Sequence, residues 1–250
     1  MMNQTLEQLS HMCLSVMEQE YRRQAELPAM SALSFEERFS MLVDAEWMSR
    51  QNKKLKRLLK AANLRNPEAC LEDIDFAPSR KLDRAVIARL SNLLWIKENQ
   101  NLFITGACGT GKSWLASAFG NAACRRGMHV LYVRVNRLLT DLLAARNDGS
   151  WSKRLSLLKK PDLLILDDFG LAPLDTIHCR DLLELTDDRC GKGSILITAQ
   201  LPVSGWHSIF EDATIADAVL DRLVHNAHRI ELYGPSKRPR LSQAQPAGEP

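Results

Sequence analysis

The chain has 250 residues, 45% of them hydrophobic and 25% charged, with a formal net charge of +3. This composition is typical of an ordinary soluble globular protein, with room for one large domain or for a smaller domain and an appendage. No run of eighteen apolar residues occurs and the first residues lack the pattern of a signal peptide, so we expect neither a membrane span nor secretion. Six scattered cysteines without a Cys-x-x-Cys pair predict free thiols in a reducing cytoplasm, not a disulfide framework or a metal site.

Residues 1–70 predict an all-helical N-terminal domain. Leu and Met recur at helical spacing, and the segment contains no Gly. Pro28 interrupts the pattern, and we expect a new helix to begin after Ser34, where two Glu residues place negative charge at its positive end. Pro67 marks the expected boundary with the next domain.

Residues 47–65 contain seven basic residues and no acidic one. A helix here would collect its apolar residues on one face and present a row of cations on the other, as expected for contact with nucleic-acid phosphates. A solvated surface helix, a membrane-surface helix or a partner-binding helix would show the same pattern. The apolar face consists of Leu55, Leu58, Leu59 and Ala62, and the candidate phosphate contacts are Arg50, Lys53, Lys54, Arg57 and Lys60.

From residue 71 to residue 234, predicted strands alternate with predicted helices. This pattern indicates an α/β fold with a parallel sheet flanked by helices on both faces. Residues 235–250 form a basic, proline-rich tail that we expect to be partly disordered. The predicted strands are 101–105, 129–135, one that ends at residue 167, 194–199 and 228–232, and the predicted helices are 80–97, one after the first strand, 136–146, 151–159, 175–190 and 214–226.

Residues 106–113 read Gly-Ala-Cys-Gly-Thr-Gly-Lys-Ser between a predicted strand and a predicted helix, which is a complete phosphate-binding P-loop in the context that it requires. Its glycines let successive N–H groups point at phosphate oxygens, and the helix N-terminus adds its dipole. Lys112 would reach the β- and γ-phosphates, and the Ser113 hydroxyl would bind Mg²⁺. The predicted contacts with a nucleoside triphosphate are Gly106, Ala107, Cys108, Gly109, Thr110, Gly111, Lys112, Ser113 and Trp114.

Residues 162–170 read Asp-Leu-Leu-Ile-Leu-Asp-Asp-Phe-Gly and predict a buried strand of a parallel sheet that ends in two carboxylates. Open α/β sheets place their ligands at the carboxyl ends of the strands. Asp167 would hold the Mg²⁺ directly or through water, and Asp168 would polarise the attacking water as a general base. The alternative interpretation is a pair of turn-forming or helix-capping Asp residues.

Three more polar residues are candidates for the same site. In AAA+ folds the strand that the predicted strand 194–199 resembles lies beside the strand that ends in the Asp pair, and a polar side chain at its end can sense the γ-phosphate. This makes Thr198 and Gln200 candidates, with an ordinary strand end as the alternative. Arg222 lies on a predicted helix late in the domain, and an arginine from a neighbouring subunit can stabilise charge on a transferring phosphoryl group. From the residues alone, a surface ion pair is the simpler interpretation of Arg222.

The chain resembles the IstB-like family, the ATPase helpers encoded beside the transposase in certain bacterial insertion sequences. The resemblance covers nearly the whole chain and is carried by the P-loop, by Asp167-Asp168-Phe169-Gly170 and by four further stretches. Those stretches are Leu33–Arg38 and Leu42–Trp47 in the helical part, Leu71–Phe76 at the junction and Leu220–Leu232 near the end.

This resemblance implies an AAA+ ATPase that uses ATP and Mg²⁺, binds duplex DNA with little sequence preference, assembles into homo-oligomers on it and presents target DNA to the transposase of the same element. It identifies Arg222 as the arginine supplied in trans and Arg238 as a second phosphate-sensing residue. Two positions depart from the broader AAA+ pattern. Asp168 stands where many members have Glu, which predicts slow turnover, and Gln200 replaces the usual Asn.

Two other functions fit parts of this pattern. A DnaC-type replicative helicase loader shares the ATPase core but has a helicase as its client, so co-purification with either partner would discriminate the two. A small-molecule kinase on a P-loop scaffold would need an acceptor-binding lid, which the sequence does not show. The pair Asp167 and Asp168 favours hydrolysis over that kinase.

Overall fold

A computed structural model of the chain describes residues 2–237, with side chains from Gln4 onward. The chain divides into two compact units, the first ending at Arg57 and the second beginning at Leu58. This division falls inside the third helix, before the boundary that the sequence suggests near residue 70. The division into three functional parts at residues 70 and 234 stays a prediction.

All the secondary-structure elements of the first unit are helices in its described residues. A 3-10 turn at Pro28–Ala32 separates the second helix from the third, as the proline predicts. The third helix begins with a capping box, because Glu37 Oε2 accepts the N–H and the hydroxyl of Ser34, both at 2.8 Å, and the Ser34 hydroxyl accepts the N–H of Glu37 at 3.3 Å. The predicted helix start after Ser34 is therefore confirmed. The helices are α1 (Met2–His11), α2 (Ser15–Glu26) and α3 (Phe35–Ala62), of which the last continues into the second unit.

The second unit alternates helices and strands as the sequence predicts. The single helix predicted over residues 80–97 is wrong, because the structure has two helices with a break between them. At the break Leu93 adopts a φ of +59°, and Asn92 Oδ1 accepts the N–H of Leu94 at 2.8 Å. The elements are α4 (Arg84–Ser91), α5 (Leu94–Lys97), β1 (Asn101–Gly106), α6 (Lys112–Arg125), β2 (Val130–Arg134), α7 (Val135–Asn147), α8 (Trp151–Lys159), β3 (Leu163–Phe169), α9 (Thr176–Arg189), β4 (Ser194–Ala199), α10 (Ala213–Val224) and β5 (Ala227–Leu232).

The five strands form one parallel sheet in the order β2-β3-β4-β1-β5. Parallel strands bring their carboxyl ends to one edge, where open α/β folds bind ligands. The end of β1 leads into the P-loop, the end of β3 carries the Asp pair, and β4 lies between them. The prediction that the strand 194–199 lies beside the strand that ends in Asp167 and Asp168 is thus confirmed.

The three central strands, β1, β3 and β4, are buried on both faces, which explains their near-continuous apolar runs. On one face the ring of Trp206 packs between Phe103 of β1 and Phe169 of β3, with centroid distances of 4.8 and 4.9 Å. The packed core of the second unit therefore holds the carboxyl ends of the strands in place.

Within the described residues, no helix combines the length and apolar character needed to cross a bilayer.

Candidate nucleotide-binding site

The P-loop joins β1 to α6, and two of its glycines show why it requires this residue type. Gly106 has a φ of +143°, and a Cβ atom there would lie 2.2 Å from the carbonyl oxygen of Leu232 on β5. Gly111 stands just before α6 in the left-handed region, with a φ of +95°. Glycine alone adopts these conformations without strain. The loop therefore leads the chain directly into the N-terminus of α6, the end of a helix that attracts anions.

The side chain of Lys112 lies against the loop backbone. Its Nζ atom donates to the carbonyl oxygens of Gly106 and Ala107, both at 2.8 Å, and the residue is 6% exposed. Of the other predicted contacts, Cys108 is exposed and Trp114 is half-buried. The structure thus places the ammonium at the loop, and its contact with a phosphate stays a prediction.

Asp167 lies fully buried at the end of β3, at the centre of a hydrogen-bond cluster. The hydroxyl of Ser113, the residue that follows Lys112, donates to Asp167 Oδ1 at 2.8 Å. Thr198 Oγ1 on β4 donates to the same oxygen at 2.5 Å, and the Tyr132 hydroxyl on β2 donates to Oδ2. Ser113 and Asp167, the two predicted metal ligands, are therefore neighbours in space although 54 residues separate them.

Tyr132 belongs to this cluster, and the sequence did not identify it. Burial, and then the hydrogen bond with Asp167, raise the pKa of the Tyr132 phenol far above its usual range. The phenol therefore stays protonated and remains a donor to the carboxylate. A tyrosine in a strand reads as an ordinary β-forming residue, so no local signal distinguishes it.

Asp168 lies at the solvent side of the cluster, and its side chain is 29% exposed. The residue has a φ of +61°, in an irregularity of β3 between Leu166 and Phe169 that shifts the pairing with β4. Its N–H donates to Thr198 Oγ1 at 3.1 Å. Asp is one of the few residue types that adopt a left-handed conformation readily. The kink lets two successive carboxylates serve one site, the first inside it and the second at its solvent side.

The two candidate γ-phosphate sensors differ in the structure. Thr198 is fully buried, and its hydroxyl both donates to Asp167 and accepts from Asp168. Gln200 is exposed beyond the end of β4. Thr198 therefore orients the acidic pair, whereas the side chain of Gln200 is open to solvent at the ligand edge of the sheet.

Arg65 also reaches this cluster, although the sequence pattern placed it in the basic row of residues 47–65. Its Nη1 atom lies 3.3 Å from Asp167 Oδ2, 3.7 Å from Asp168 Oδ2 and 3.5 Å from Ser113 Oγ. Arg65 comes after the end of α3, so the helical period that describes the row no longer applies. No signal in the sequence joins it to residues about a hundred positions away.

The donor set at the cluster suits a hard divalent cation. Mg²⁺ prefers oxygen ligands, and it is bound in proteins by one or two carboxylates together with phosphates and waters. The Asp167 carboxylate and the Ser113 hydroxyl supply such oxygens, 2.8 Å apart. Among the described residues, no group of three or more His, Cys, Asp and Glu side chains could hold a metal ion. The oxygens of Ser113 and Asp167 fit a divalent cation that also has phosphate and water ligands.

Two segments far apart in the sequence lie against the P-loop. Arg80 is buried and donates from Nη2 to the carbonyl oxygen of Thr110 at 2.7 Å. The Lys237 N–H donates to the Gly109 carbonyl at 2.9 Å, and its ammonium pairs with Asp75. That hydrogen bond with Lys237, followed by one from a backbone N–H, lowers the pKa of Asp75. Arg238, the predicted second phosphate sensor, lies outside the described residues.

Arg222 lies on α10, at the amino ends of the strands, whereas the P-loop lies at their carboxyl ends. Its Nε atom donates to Asp187 Oδ1 at 2.8 Å, and Nη1 donates to the Ala218 carbonyl at 2.7 Å. The amide of Asn101, the first residue of β1, donates to the carbonyl of Leu223 at 2.9 Å, which locates this part of α10 at the amino ends of the strands. Arg222 therefore does not join the nucleotide site of its own chain.

The five candidate phosphate contacts on α3 fall into two groups. Lys53, Lys54, Arg57 and Lys60 are exposed, and within the described residues they form neither an ion pair nor a side-chain hydrogen bond. Arg50 differs, because it donates to Glu46 Oε1 at 2.8 Å and to the Cys13 carbonyl at 3.0 Å. Glu46 in turn accepts the first N–H groups of α2. Arg50 thus has a structural role in the first unit, whereas the predicted apolar face is confirmed, since Leu55, Leu58, Leu59 and Ala62 are buried or half-buried.

The chain matches the family described as IstB-like ATP binding protein over residues 7–245. It belongs to that family. An insertion-sequence ATP-binding protein from Sinorhizobium fredii is 46% identical to the chain over 234 residues, which are 94% of this chain and 95% of the relative. The family resemblance that the sequence motifs indicate is therefore confirmed.

Solved structures establish the AAA+ fold. AMPPCP-bound DnaA from Aquifex aeolicus is similar with a TM-score of 0.56 and 20% identity, over 67% of this chain and 51% of that chain. The DnaC helicase loader is similar with a TM-score of 0.54 and 18% identity, over 66% of this chain and 96% of that chain. The chain is thus a member of the IstB-like ATP-binding family and has the fold of these proteins.

Proposed function

We propose that the protein is an ATP-hydrolysing, DNA-binding oligomer that assists the transposase of an insertion sequence. The observation that carries this proposal is the hydrogen bond of 2.8 Å between Ser113 and Asp167 beside a P-loop lysine, in a chain of the IstB-like ATP-binding family. It brings the P-loop and the acidic strand end into one site. Such a site belongs to a nucleoside triphosphatase.

In this site the P-loop residues bind and orient the phosphates. The α6 N-terminus attracts the anion, and the Lys112 ammonium moves from carbonyl oxygens to phosphate oxygens, a stronger charge-assisted contact. Ser113 and Asp167 would hold Mg²⁺, which when bound would neutralise charge that develops on the phosphates. Thr198 and Tyr132 keep Asp167 oriented toward that position.

Asp168 is the group that accepts a proton from the attacking water. Its partial exposure and its kinked backbone leave the carboxylate facing solvent, next to the buried Asp167. A general base must lie within hydrogen-bond reach of the proton that it removes, and Asp is one methylene shorter than the usual Glu. Water activation is therefore less direct, and hydrolysis is slow and regulatory.

A second subunit completes the site. Arg222 lies at the amino ends of the strands, away from its own P-loop, so it can contact a phosphate only in a neighbouring copy of the chain. An arginine supplied in trans is worth roughly 10³- to 10⁵-fold in the rate of phosphoryl transfer. Mixing Arg222→Ala protein with Lys112→Ala protein tests this, because the intact P-loop of the first variant and the intact Arg222 of the second should together form a complete site. Hydrolysis that stays absent in the mixture contradicts a shared site.

The exposed cations of α3 are the DNA contacts of this proposal. Cations without partners on the protein neutralise phosphates and release counterions, which gives binding with little sequence preference and strong salt dependence. Within residues 2–237, Lys53, Lys54, Arg57 and Lys60 meet this description, and Arg50 contributes less because Glu46 already binds it. Duplex DNA thus contacts the outer face of α3.

A helicase loader is the second candidate, since the similar DnaC structure is described as one. The protein should be mixed with the transposase of its own element and, separately, with the replicative helicase of its host, each with ATP and duplex DNA. We expect co-sedimentation with the transposase and none with the helicase. Capture of the helicase alone would replace the transposition role with the loader role. Lys112→Ala protein is the control, because it should be captured by neither partner in an ATP-dependent way.

A further inference from the structure

Arg65 reaches the nucleotide site from the segment after α3, and none of the ATPase motifs accounts for it. Its Nη1 atom contacts Asp167 at 3.3 Å, and it lies 3.5 Å from Ser113 Oγ and 3.7 Å from Asp168. A guanidinium is charged at every accessible pH and is weakly hydrated compared with an ammonium, so it tolerates a partly buried position. One cationic group therefore lies beside all three side chains that would hold the metal and the attacking water.

The position of Arg65 is built into the fold on both sides of the residue. On its carboxyl side, the Asn66 N–H donates to Ser117 Oγ on α6 at 3.3 Å. On its amino side, Leu64 is buried directly against α6, because a Cβ atom on Gly120 would lie only 2.7 Å from Leu64 Cδ2. The backbone that carries Arg65 is thus held on the helix that begins at the P-loop, and the guanidinium is 35% exposed.

The electrostatics of the site explain why a cation belongs there. Asp167 is fully buried, and a buried carboxylate is costly unless positive charge and hydrogen bonds compensate it. Arg65 supplies positive charge to Asp167 Oδ2, the oxygen that also accepts from Tyr132. A divalent cation bound by Ser113 and Asp167 would supply the same compensation. Two cations in this space would repel each other.

We propose that Arg65 is a positioning residue that occupies the cation position of the nucleotide site, holds Ser113, Asp167 and Asp168 together before nucleotide binds, and withdraws when a divalent cation takes that position. The inference rests on the proposed nucleotide site. Because the guanidinium and the metal compete for the same oxygens, removal of Arg65 strengthens metal-dependent nucleotide binding. A purely structural arginine would have the opposite effect, since its removal would weaken binding.

The test is a titration with Mg²⁺ of full-length protein and a fluorescent ADP analogue, which has no γ-phosphate that Arg65 could contact. For Arg65→Ala, we expect the Mg²⁺ concentration at half-maximal binding to fall by up to about fivefold, as removal of a partly exposed competing ion pair allows. Arg65→Lys keeps the positive charge but not the planar guanidinium. In this variant the Mg²⁺ concentration at half-maximal binding should fall by about twofold. An unchanged or raised Mg²⁺ requirement in both variants would overturn the proposal.

Arg146→Ala is the matched control. Arg146 is 38% exposed and pairs with the fully buried Asp181 on α9, so its removal also leaves a buried carboxylate without its cation, but away from the nucleotide site. Its Mg²⁺ requirement should equal that of the wild type, and an equal fall in this variant would contradict a specific role for Arg65. Wild-type protein that binds no nucleotide at any Mg²⁺ concentration would instead refute the proposed function itself, so the two failures are distinguishable.

Discussion

The nucleotide site and the outer face of α3 both depend on charged side chains, but they hold those charges in different ways. At the nucleotide site Lys112 is 6% exposed and bonded to two carbonyl oxygens, and Asp167 is buried among four donors. On α3, Lys53, Lys54 and Arg57 are exposed and, within the described residues, make no ion pair. A buried charge needs a specific partner, whereas an exposed charge needs none.

The burial of the charges determines which function each region can support. A site whose groups are oriented in advance can bind one ligand in one geometry and act on it chemically. A row of solvated cations on a helix attracts any array of phosphates and reads no sequence. The two regions should therefore respond to substitution and to salt in different ways.

Asp168→Asn should produce the largest effect, confined to chemistry at the nucleotide site. Without the general base, the rate of ATP hydrolysis should fall by about a hundredfold or more, while ATP and DNA affinities stay within about twofold of the wild type. Phosphate release and fluorescent-nucleotide binding measure the two quantities on the same sample. A hydrolysis rate equal to that of the wild type would remove Asp168 from the role of base.

Lys112→Ala should abolish useful nucleotide binding. The variant cannot make a charge-assisted hydrogen bond with the phosphates, which corresponds to a fall of about ten- to a hundredfold in affinity. Equilibrium binding of a fluorescent ATP analogue measures the change, and Lys97→Ala, an exposed lysine on α5, is the matched control. Full-strength binding in Lys112→Ala would show that nucleotide does not enter through the P-loop.

Charge reversal at Lys53, Lys54 and Arg57 should act on the other region alone. We expect DNA affinity to fall by about tenfold at low salt, and the slope of log affinity against log salt to become smaller by about three, one for each phosphate that the protein no longer neutralises. Nucleotide affinity should not change. Fluorescence anisotropy of a labelled random-sequence duplex at several salt concentrations provides the measurement. An unchanged slope would mean that this face of α3 contacts a protein partner.

Cys108 offers the smallest but most local readout. It is an exposed free thiol inside the P-loop, and Cys190 at the end of α9 is an exposed thiol away from it. Bound ATP should slow alkylation of Cys108 by roughly a few-fold through steric cover, as ligand-linked protection requires, and leave Cys190 unchanged. Peptide mass spectrometry after a short labelling pulse distinguishes the two. Equal rates at Cys108 with and without ATP would place the nucleotide elsewhere.

Local patterns predict the fold and much of the nucleotide site. The strands can be predicted because parallel strands buried on both faces are continuous apolar runs, and the P-loop and Asp167 follow such runs directly. The break at Leu93 cannot, because an apolar residue with a positive φ has no composition signal and tertiary packing sets it. Arg65 and Tyr132 also escape prediction, since they join Asp167 through hydrogen bonds across 102 and 35 residues of sequence, respectively.

The basic face of α3 shows the opposite limit. Its apolar side could be predicted, since helical periodicity decides which residues are buried. Its function could not be predicted from the residues alone, because a solvated cation has the same surroundings whether it meets DNA or water. Arg50 illustrates the ambiguity, since it belongs to the row by sequence but binds Glu46 in the fold.

Control of DNA assembly by the nucleotide site can be measured by sedimentation of the purified protein with random-sequence duplex DNA, in ATP, in ADP and without nucleotide, at two salt concentrations. If the nucleotide site controls a DNA assembly, large complexes should form with ATP, be much reduced with ADP or without nucleotide, and weaken as salt rises. Complexes of the same size in all three nucleotide states would contradict control by the nucleotide site. No DNA complex in any state would contradict the DNA-binding role and favour a protein client.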